Sequence, residues 1–445
     1  MLFNDKDVAV LDLTHGGIPL VQHLANYSRS VTAMDVYGTV DKEILTHLEK
    51  DGIYITKNIN SHEFDLIVAP VHMDPAFMPD PCYCPVITHH MAVGELLLNS
   101  MDGSKIIEIT GTGAKTSSAV LLADMASRNM SVVSHTSHGV EQWSNGVAKM
   151  IYNGLSIAPG SILKAIDLTS KFDPDLYIFE VSLGCTGAAD IEIITTLENE
   201  YAIANGTLTS TAAKSKITEY IKKDATLLIN ASSNMINPPG NVRTVTFSDT
   251  VKGSDVYLEQ SGTGQWSVSY HDMADTIRFV PDTGYDPATY STAMACASCA
   301  GVILDINPDT IKFTLEHFKG VHGRMQLIEL DGCRVLDNSN SGMNIRSATQ
   351  ALEYSKRIAQ SGSRLVLILG EEAQQVCEGL EPEDVSTFLN NHAGEVNDIF
   401  LVGERMQGID GDNLHYFSGL SSAIKEAKVL TRKNDIIISC VKCFR

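Results

Sequence analysis

Short apolar runs, each followed by a turn and a longer stretch of mixed polarity, recur along most of the chain. "DVAVLDL" leads into a Gly-containing turn, a helical stretch and a second strand, "SVTAMDV"; "FDLIVAP" and "CPVIT" follow. Strands alternating with helices predict parallel sheets, because a parallel pair needs a long crossover between its strands. The next section opens at "SKIIEITGTGAKTSSAVLLADMASRNM", where a β-branched strand runs into a glycine turn and a small-residue helix. It continues through the strand candidates "LYIFEVSL", "EYAIANG" and "ATLLINAS". From "RTVTFS" through "DVYLEQ", "WSVSYH" and "IRFVPD" the pattern turns to short alternating runs, which predict antiparallel strands, and a helix over "ATYSTAMACASCAGVIL" closes the section. Beyond about Gly320, "HGRMQLIEL", "CRVLDNSNS", a helix from about Ile345, "RLVLILG", "DIFLVG" and "DIIISC" resume the alternation. The expected class is α/β, divided into an N-terminal Rossmann-like section over 1–101, a central section over 102–318 and a C-terminal one over 319–445.

Composition narrows the function classes. With 445 residues, 44% hydrophobic and 20% charged, the chain is globular and too long for a single ordinary core. A formal net charge of −21 argues against a nucleic-acid partner, which requires a basic face to displace counterions. The longest apolar runs are interrupted by Asp, Gly or Lys, so no membrane span is expected. "MLFNDKDVAVLDLTHGG" lacks a basic leader before an apolar core, and the expected location is cytoplasmic. Nine cysteines include the spacings Cys82/Cys84, Cys296/Cys299 and Cys440/Cys443; their apolar settings favour ordinary buried thiols over a structural zinc. Gly16 and Gly17 after the first strand and Asp35 after the second suit a tight turn and a strand-end carboxylate better than a dinucleotide site.

The chemistry gathers at "EITGTGAKTSSA". Gly111, Thr112, Gly113, Ala114, Lys115, Thr116 and Ser117 lie between a strand and a helix, where backbone N–H groups and a helix N-terminus cradle phosphates. Lys115 would reach the terminal phosphates, and the Thr116 hydroxyl would ligate Mg²⁺. Ala114 stands where such loops have glycine, and the expectation is that Gly113 takes up the strained geometry. Glu180, at the end of "LYIFE", is placed to hold a metal ion or a water at the carboxyl edge of the sheet.

The loop, Glu180, "AIANG", "HGRMQLIEL" and "VLDNSNSGMN" together resemble the Mur ligase family in order and spacing over nearly the whole chain. The resemblance implies a three-domain fold with a central P-loop ATPase domain and a C-terminal Rossmann-like domain, ATP and Mg²⁺ as cofactors, and activation of a carboxylate by phosphorylation. It also implies roles for Lys115 and Thr116 at the phosphates, Glu180 at the metal, and Asn205, Arg324 and Asp337 at the nucleotide. Lys214 stands roughly where some members carry a carbamylated lysine. The family's Asp-His-Leu after the asparagine is replaced by "GTLTSTAAKSKI", and motifs for gripping an amino acid are not evident.

"THHMAVGELL", "SHTSHGVEQW" and "FEVSLGCTGAADIEIITTLENEYAIANG" resemble the methanogen branch of that family. That branch closes a carbocyclic ring on a nickel tetrapyrrole, a small-molecule partner; a homodimer is the assembly considered. His89, His90, His135 and His138 are then candidates for contact with the tetrapyrrole, His89 and His90 in an extended segment and His135 and His138 in a loop. The alternative is an amide ligase joining an amino acid or amine to a carboxylate.

Overall fold

The computed structural model describes residues 1–443 except 102, 199, 234–235, 272–275, 331, 373–378 and 412. It divides into two compact units, Met1–Val280 with Ser291–Leu315, and Pro281–Tyr290 with Glu316–Arg445.

The first unit begins with strands β1 (Asp7–Leu11), β2 (Ser30–Met34), β3 (Tyr54–Thr56), β4 (Leu66–Ala69) and β5 (Val86–Thr88), and helices α1 (Gly17–Leu24), α2 (Lys42–Lys50) and α3 (His89–Ser100). The strands form an all-parallel sheet in the order β3-β2-β1-β4-β5. Asp35 accepts the N–H groups of Gly38 and Val40, both at 3.0 Å, as a turn carboxylate does. Gly17 has no room for a side chain: a Cβ would lie 2.0 Å from the Asp12 carbonyl oxygen.

The larger sheet carries β6 (Lys105–Thr110), followed by α4 (Lys115–Ala126), β7 (Val132–Thr136), β8 (Gly139–Ser144), β9 (Val147–Tyr152), α5 (Gly160–Thr169), β10 (Leu176–Glu180) and β11 (Ile191–Ile194). A small hairpin, β12 (Ala202–Ile203) with β13 (Leu208–Thr209), stands apart, and α6 (Ser210–Ser215) and α7 (Ile217–Tyr220) lead to β14 (Thr226–Asn230). β15 (Arg243–Ser248), β16 (Val256–Gln260), β17 (Trp266–Tyr270) and β18 (Ile277–Phe279) complete the eleven-stranded order β18-β17-β16-β15-β14-β11-β6-β10-β7-β8-β9. Helix α8 (Ser291–Ile303) packs on it, burying Cys296 and Cys299, and α9 (Pro308–His317) follows.

Several local expectations need correcting. "RTVTFS" pairs parallel to both its neighbours, and within the run β15 to β18 antiparallel pairing starts between β16 and β17. "EYAIANG" supplies two hairpin residues, while the central strand is "IEII", whose Glu192 interrupts the apolar run yet is buried beside Glu108 of β6. His89 and His90 open a helix capped by the Thr88 hydroxyl instead of lying in an extended segment, and His135 lies within β7, not in a loop.

In the second unit, β19 (Gln326–Leu330), β20 (Cys333–Asp337), α10 (Ile345–Ile358), β21 (Leu365–Glu371), α11 (Pro382–His392), β22 (Asp398–Val402), β23 (Leu414–Phe417), α12 (Leu420–Leu430) and β24 (Ile436–Lys442) build a sheet ordered β19-β20-β24-β21-β22-β23. Only β19 is antiparallel to its neighbour. The continuous apolar strands β21, β22 and β24 are buried between apolar layers on both faces, as a parallel sheet requires. Among the described residues no helix is long and apolar enough to cross a membrane.

Candidate nucleotide-binding site

β6 delivers Gly111 to Ala114 at the carboxyl edge of the sheet, and α4 starts at Lys115. The N–H groups of a helix's first turn have no partner inside the helix, so this junction offers donors and the positive end of the helix dipole to an anion. Gly111 has φ 148°, and a Cβ there would meet Thr195 Oγ1 at 2.1 Å, which explains glycine at that position. The expectation for the next residues is overturned: Ala114 itself takes the left-handed conformation, with φ 61°, and Gly113 does not. The chain path requires the turn at the residue preceding the helix, so the strain falls on the alanine at a cost of about 1–2 kcal/mol.

The loop rests on two threonines that follow β11. Thr112 N–H donates to the Thr196 carbonyl at 2.8 Å, Gly113 N–H donates to Thr196 Oγ1 at 2.9 Å, and the Thr195 hydroxyl donates to the carbonyls of Thr110 and Gly113. Sequence reasoning missed both residues; the signal available was the Thr-Thr pair directly after "IEII".

Glu180 lies where expected, at the end of β10 beside β6 and almost wholly buried. Its Oε2 accepts from the Thr116 hydroxyl at 2.7 Å and from Ser137 N–H at 3.0 Å, and its Oε1 is 3.9 Å from Lys115 Nζ. Lys115 Nζ also donates to the Gly111 carbonyl at 3.1 Å. Lys115 and Thr116 therefore form one cluster with Glu180, which is distant from them in sequence, and Ser137 is a further member that the sequence did not suggest. Lysine, hydroxyl and buried carboxylate at a helix N-terminus are donor types that suit phosphates and a hard divalent cation.

The other residues expected at a site are distributed differently. Asn205 is exposed in the turn of the β12–β13 hairpin and donates to Asp74 Oδ2 at 3.0 Å. Lys214 is buried, donates to the Ser210 carbonyl at 3.2 Å and lies 5.3 Å from the Tyr201 ring centre. His89, His90 and His135 are enclosed and face the backbone carbonyls of Leu11, Ser182 and Leu155. Burial pushes the pKa of each down to about 4, so all are neutral near pH 7. His138 is half-buried, in the turn between β7 and β8. In the second unit the segments that carry Arg324 and Asp337 are adjacent: His322 Nδ1 lies 3.2 Å from Asp337 Oδ2, and Asn340, three residues beyond Asp337, donates to the Gly323 carbonyl at 2.7 Å.

Comparison with known proteins bears on this arrangement. The family model described as "Coenzyme F430 synthetase CfbE, C-terminal domain" matches residues 327–443. The coenzyme F(430) synthetase of Methanosarcina acetivorans is 42% identical, with 99% of each chain covered. That of Methanocaldococcus jannaschii is 22% identical over 85% of this chain and 87% of its own. Among solved structures, MurF ligase from Thermotoga maritima in complex with ADP superposes with a TM-score of 0.59 at 14% identity, covering 94% of this chain and 92% of that one. The structural likeness shows a Mur ligase-like α/β fold, and the whole-length sequence identity goes further: the chain belongs to the coenzyme F(430) synthetase family.

Proposed function

We propose that the protein is an ATP-dependent ligase that closes a carbocyclic ring on a nickel tetrapyrrole by carbon–carbon bond formation, the last step in making coenzyme F(430). The observation that carries this reading is the 42% identity, over 99% of both chains, to the Methanosarcina acetivorans coenzyme F(430) synthetase. The loop geometry supports it. Its donor set fits a nucleoside triphosphate with a divalent cation, and Thr116 and Glu180 would hold Mg²⁺, which when bound neutralises charge on the phosphates. Lys115 acts as a point charge at the terminal phosphates, and α4 contributes its N-terminal donors. Arg324, Asp337 and Asn205 are assigned to the nucleotide by resemblance. Of the histidines considered for the substrate, only the half-buried His138 lies outside the enclosed interior.

In this reading a propionate oxygen takes the γ-phosphoryl group, giving ADP and an acyl phosphate. A carbon of the same macrocycle loses its proton to a base and attacks the acyl carbon; the C–O bond to phosphate breaks, leaving a ring ketone and inorganic phosphate. The protein supplies charge neutralisation and orientation, which bring nucleophile and carbonyl together. No amine takes part, and a cytoplasmic enzyme meets both ATP and substrate.

The test is to give the enzyme a nickel tetrapyrrole acid labelled with heavy oxygen in the propionate. MgATP alone should change the visible absorbance, and the released phosphate should carry the label. Release of pyrophosphate, unlabelled phosphate, or a requirement for an added amino acid would overturn the reading.

A further inference from the structure

The N-terminal sheet holds a second concentration of chemistry. Its order, β3-β2-β1-β4-β5, reverses direction between β1 and β4, and open α/β sheets bind ligands in the crevice beyond the carboxyl ends of the strands at such a reversal. Asp12 immediately follows β1, and His72 lies in the segment after β4, so both stand at this crevice. Asp12 is fully buried, with φ 67°. Its Oδ1 accepts from Thr14 N–H at 2.8 Å, and its Oδ2 lies 2.7 Å from His15 Nδ1. The same Oδ2 is 4.0 Å from His72 Nε2, an enclosed nitrogen that makes no hydrogen bond among the described residues. One donor atom each from Asp12, His15 and His72 lies within 4.8 Å of the others.

Among the described residues the triad leaves one enclosed ring nitrogen, His72 Nε2, unsatisfied. Among the described residues the buried carboxylate is held by Thr14, through its N–H and its side chain, and by the His15 imidazole, with no lysine or arginine among its ion-pair partners. A buried carboxylate needs compensating positive charge or several donors, and an enclosed ring nitrogen without a partner is costly. A divalent cation would answer both needs, and two imidazoles with one carboxylate suit late first-row ions better than Mg²⁺ or Ca²⁺. Aromatic groups flank the cluster: the ring of His15 lies 4.6 Å from that of His72 and 6.0 Å from that of Tyr37, which in turn lies 5.8 Å from Phe77. The His72 segment is tied to the β12–β13 hairpin, whose Ala204 N–H donates to the His72 carbonyl at 3.1 Å.

We propose that Asp12, His15 and His72 form a site for a late first-row divalent metal centre of the nickel(II) type, presented as a free ion or as the metal of a bound tetrapyrrole. The free-ion form is independent of the ring-closing function; the tetrapyrrole form rests on that reading.

Two arms distinguish the sources, and neither uses ATP or turnover. In the first, chelator-stripped full-length protein is titrated with Co²⁺, whose visible d–d absorption reports imidazole and carboxylate ligation. Wild type should bind one ion per chain, and His72→Ala or Asp12→Asn should weaken binding by about tenfold or more. In the second, a nickel tetrapyrrole acid and its metal-free counterpart are added separately. A shift in the visible spectrum of the nickel form alone, lost in the His15→Ala/His72→Ala double variant, identifies the macrocycle as the source. Circular dichroism checks that each variant folds, and His15→Ala, on the most exposed member, replaces any that does not. Response in either arm that depends on these side chains supports the site. No response in both arms, or a response undiminished in the double variant, overturns it, while failure of ring closure alone leaves the free-ion result standing.

Discussion

Ala114 is the residue at which local strain and proposed function meet. Glycine has no Cβ to clash at φ 61°, so Ala114→Gly should stabilise the protein by about 1 kcal/mol, measured as a shift in the urea midpoint; an unchanged or lower midpoint would show that the alanine is not strained. Lys115 and Glu180 separate binding from chemistry. Lys115→Ala should abolish turnover. Glu180→Gln preserves the shape that receives the Thr116 hydroxyl and Ser137 N–H but removes the charge, so calorimetry should still detect nucleotide while turnover falls by orders of magnitude. Near-normal turnover in Glu180→Gln would remove that carboxylate from the mechanism. At this scale the sequence was informative for Lys115, Thr116 and Glu180, because a glycine turn between strand and helix restricts what its flanking residues face. It could not distinguish Gly113 from Ala114 as the strained residue, since both choices preserve the same motif.

At the scale of elements, β11 and the two threonines after it form the floor of the loop. Thr196→Val keeps the volume and removes the oxygen that receives Gly113 N–H at 2.9 Å, so the KM for ATP should rise by up to about tenfold with a smaller effect on kcat. An unchanged KM would mean that the loop holds its shape without that bond. This floor was hard to read from sequence, because β11 contains Glu192 and its apolar run looks interrupted. Burial of Glu192 against Glu108 depends on β11 lying next to β6, a long-range pairing that periodicity does not encode. The helix beginning at His89 was missed for a related reason: "PVIT" continues straight into it, and the boundary is marked only by the Thr88 cap.

Over the whole molecule, buried titratable groups set opposing pH dependences. Burial pushes Glu108 up to about 7, partly offset by hydrogen bonds from Thr186, and Glu192 is also raised by burial and by Glu108. A carboxyl with a raised folded-state pKa contributes fully below its unfolded value near 4.5, and that contribution is lost as pH rises through about 7. His89, His90 and His135, pushed down to about 4, act the other way: their contribution is full above about 6.5 and is lost as pH falls through about 4. Glu108→Gln should therefore be more stable than wild type above pH 7, by about 3 kcal/mol at most, with the advantage vanishing near pH 4. Melting temperatures of both proteins across that range provide the check, and a difference independent of pH would refute the assignment to Glu108.

Alternation of apolar runs with helical stretches, the glycine loop and the carboxylate ending "LYIFE" are local features, and the sequence alone determined from them an α/β chain with a phosphate-binding candidate. Residue wording across the whole chain likewise carried the family. Strand order belongs to the tertiary structure: it brings Glu180 beside Thr116, sets Thr196 beneath Gly113, and draws Asp12, His15 and His72 to one crevice. It also encloses His89, His90 and His135. The physical reason is that side-chain periodicity reports which face of an element is apolar, whereas adjacency and burial depend on which distant elements pair, a choice made by the packing of the whole chain.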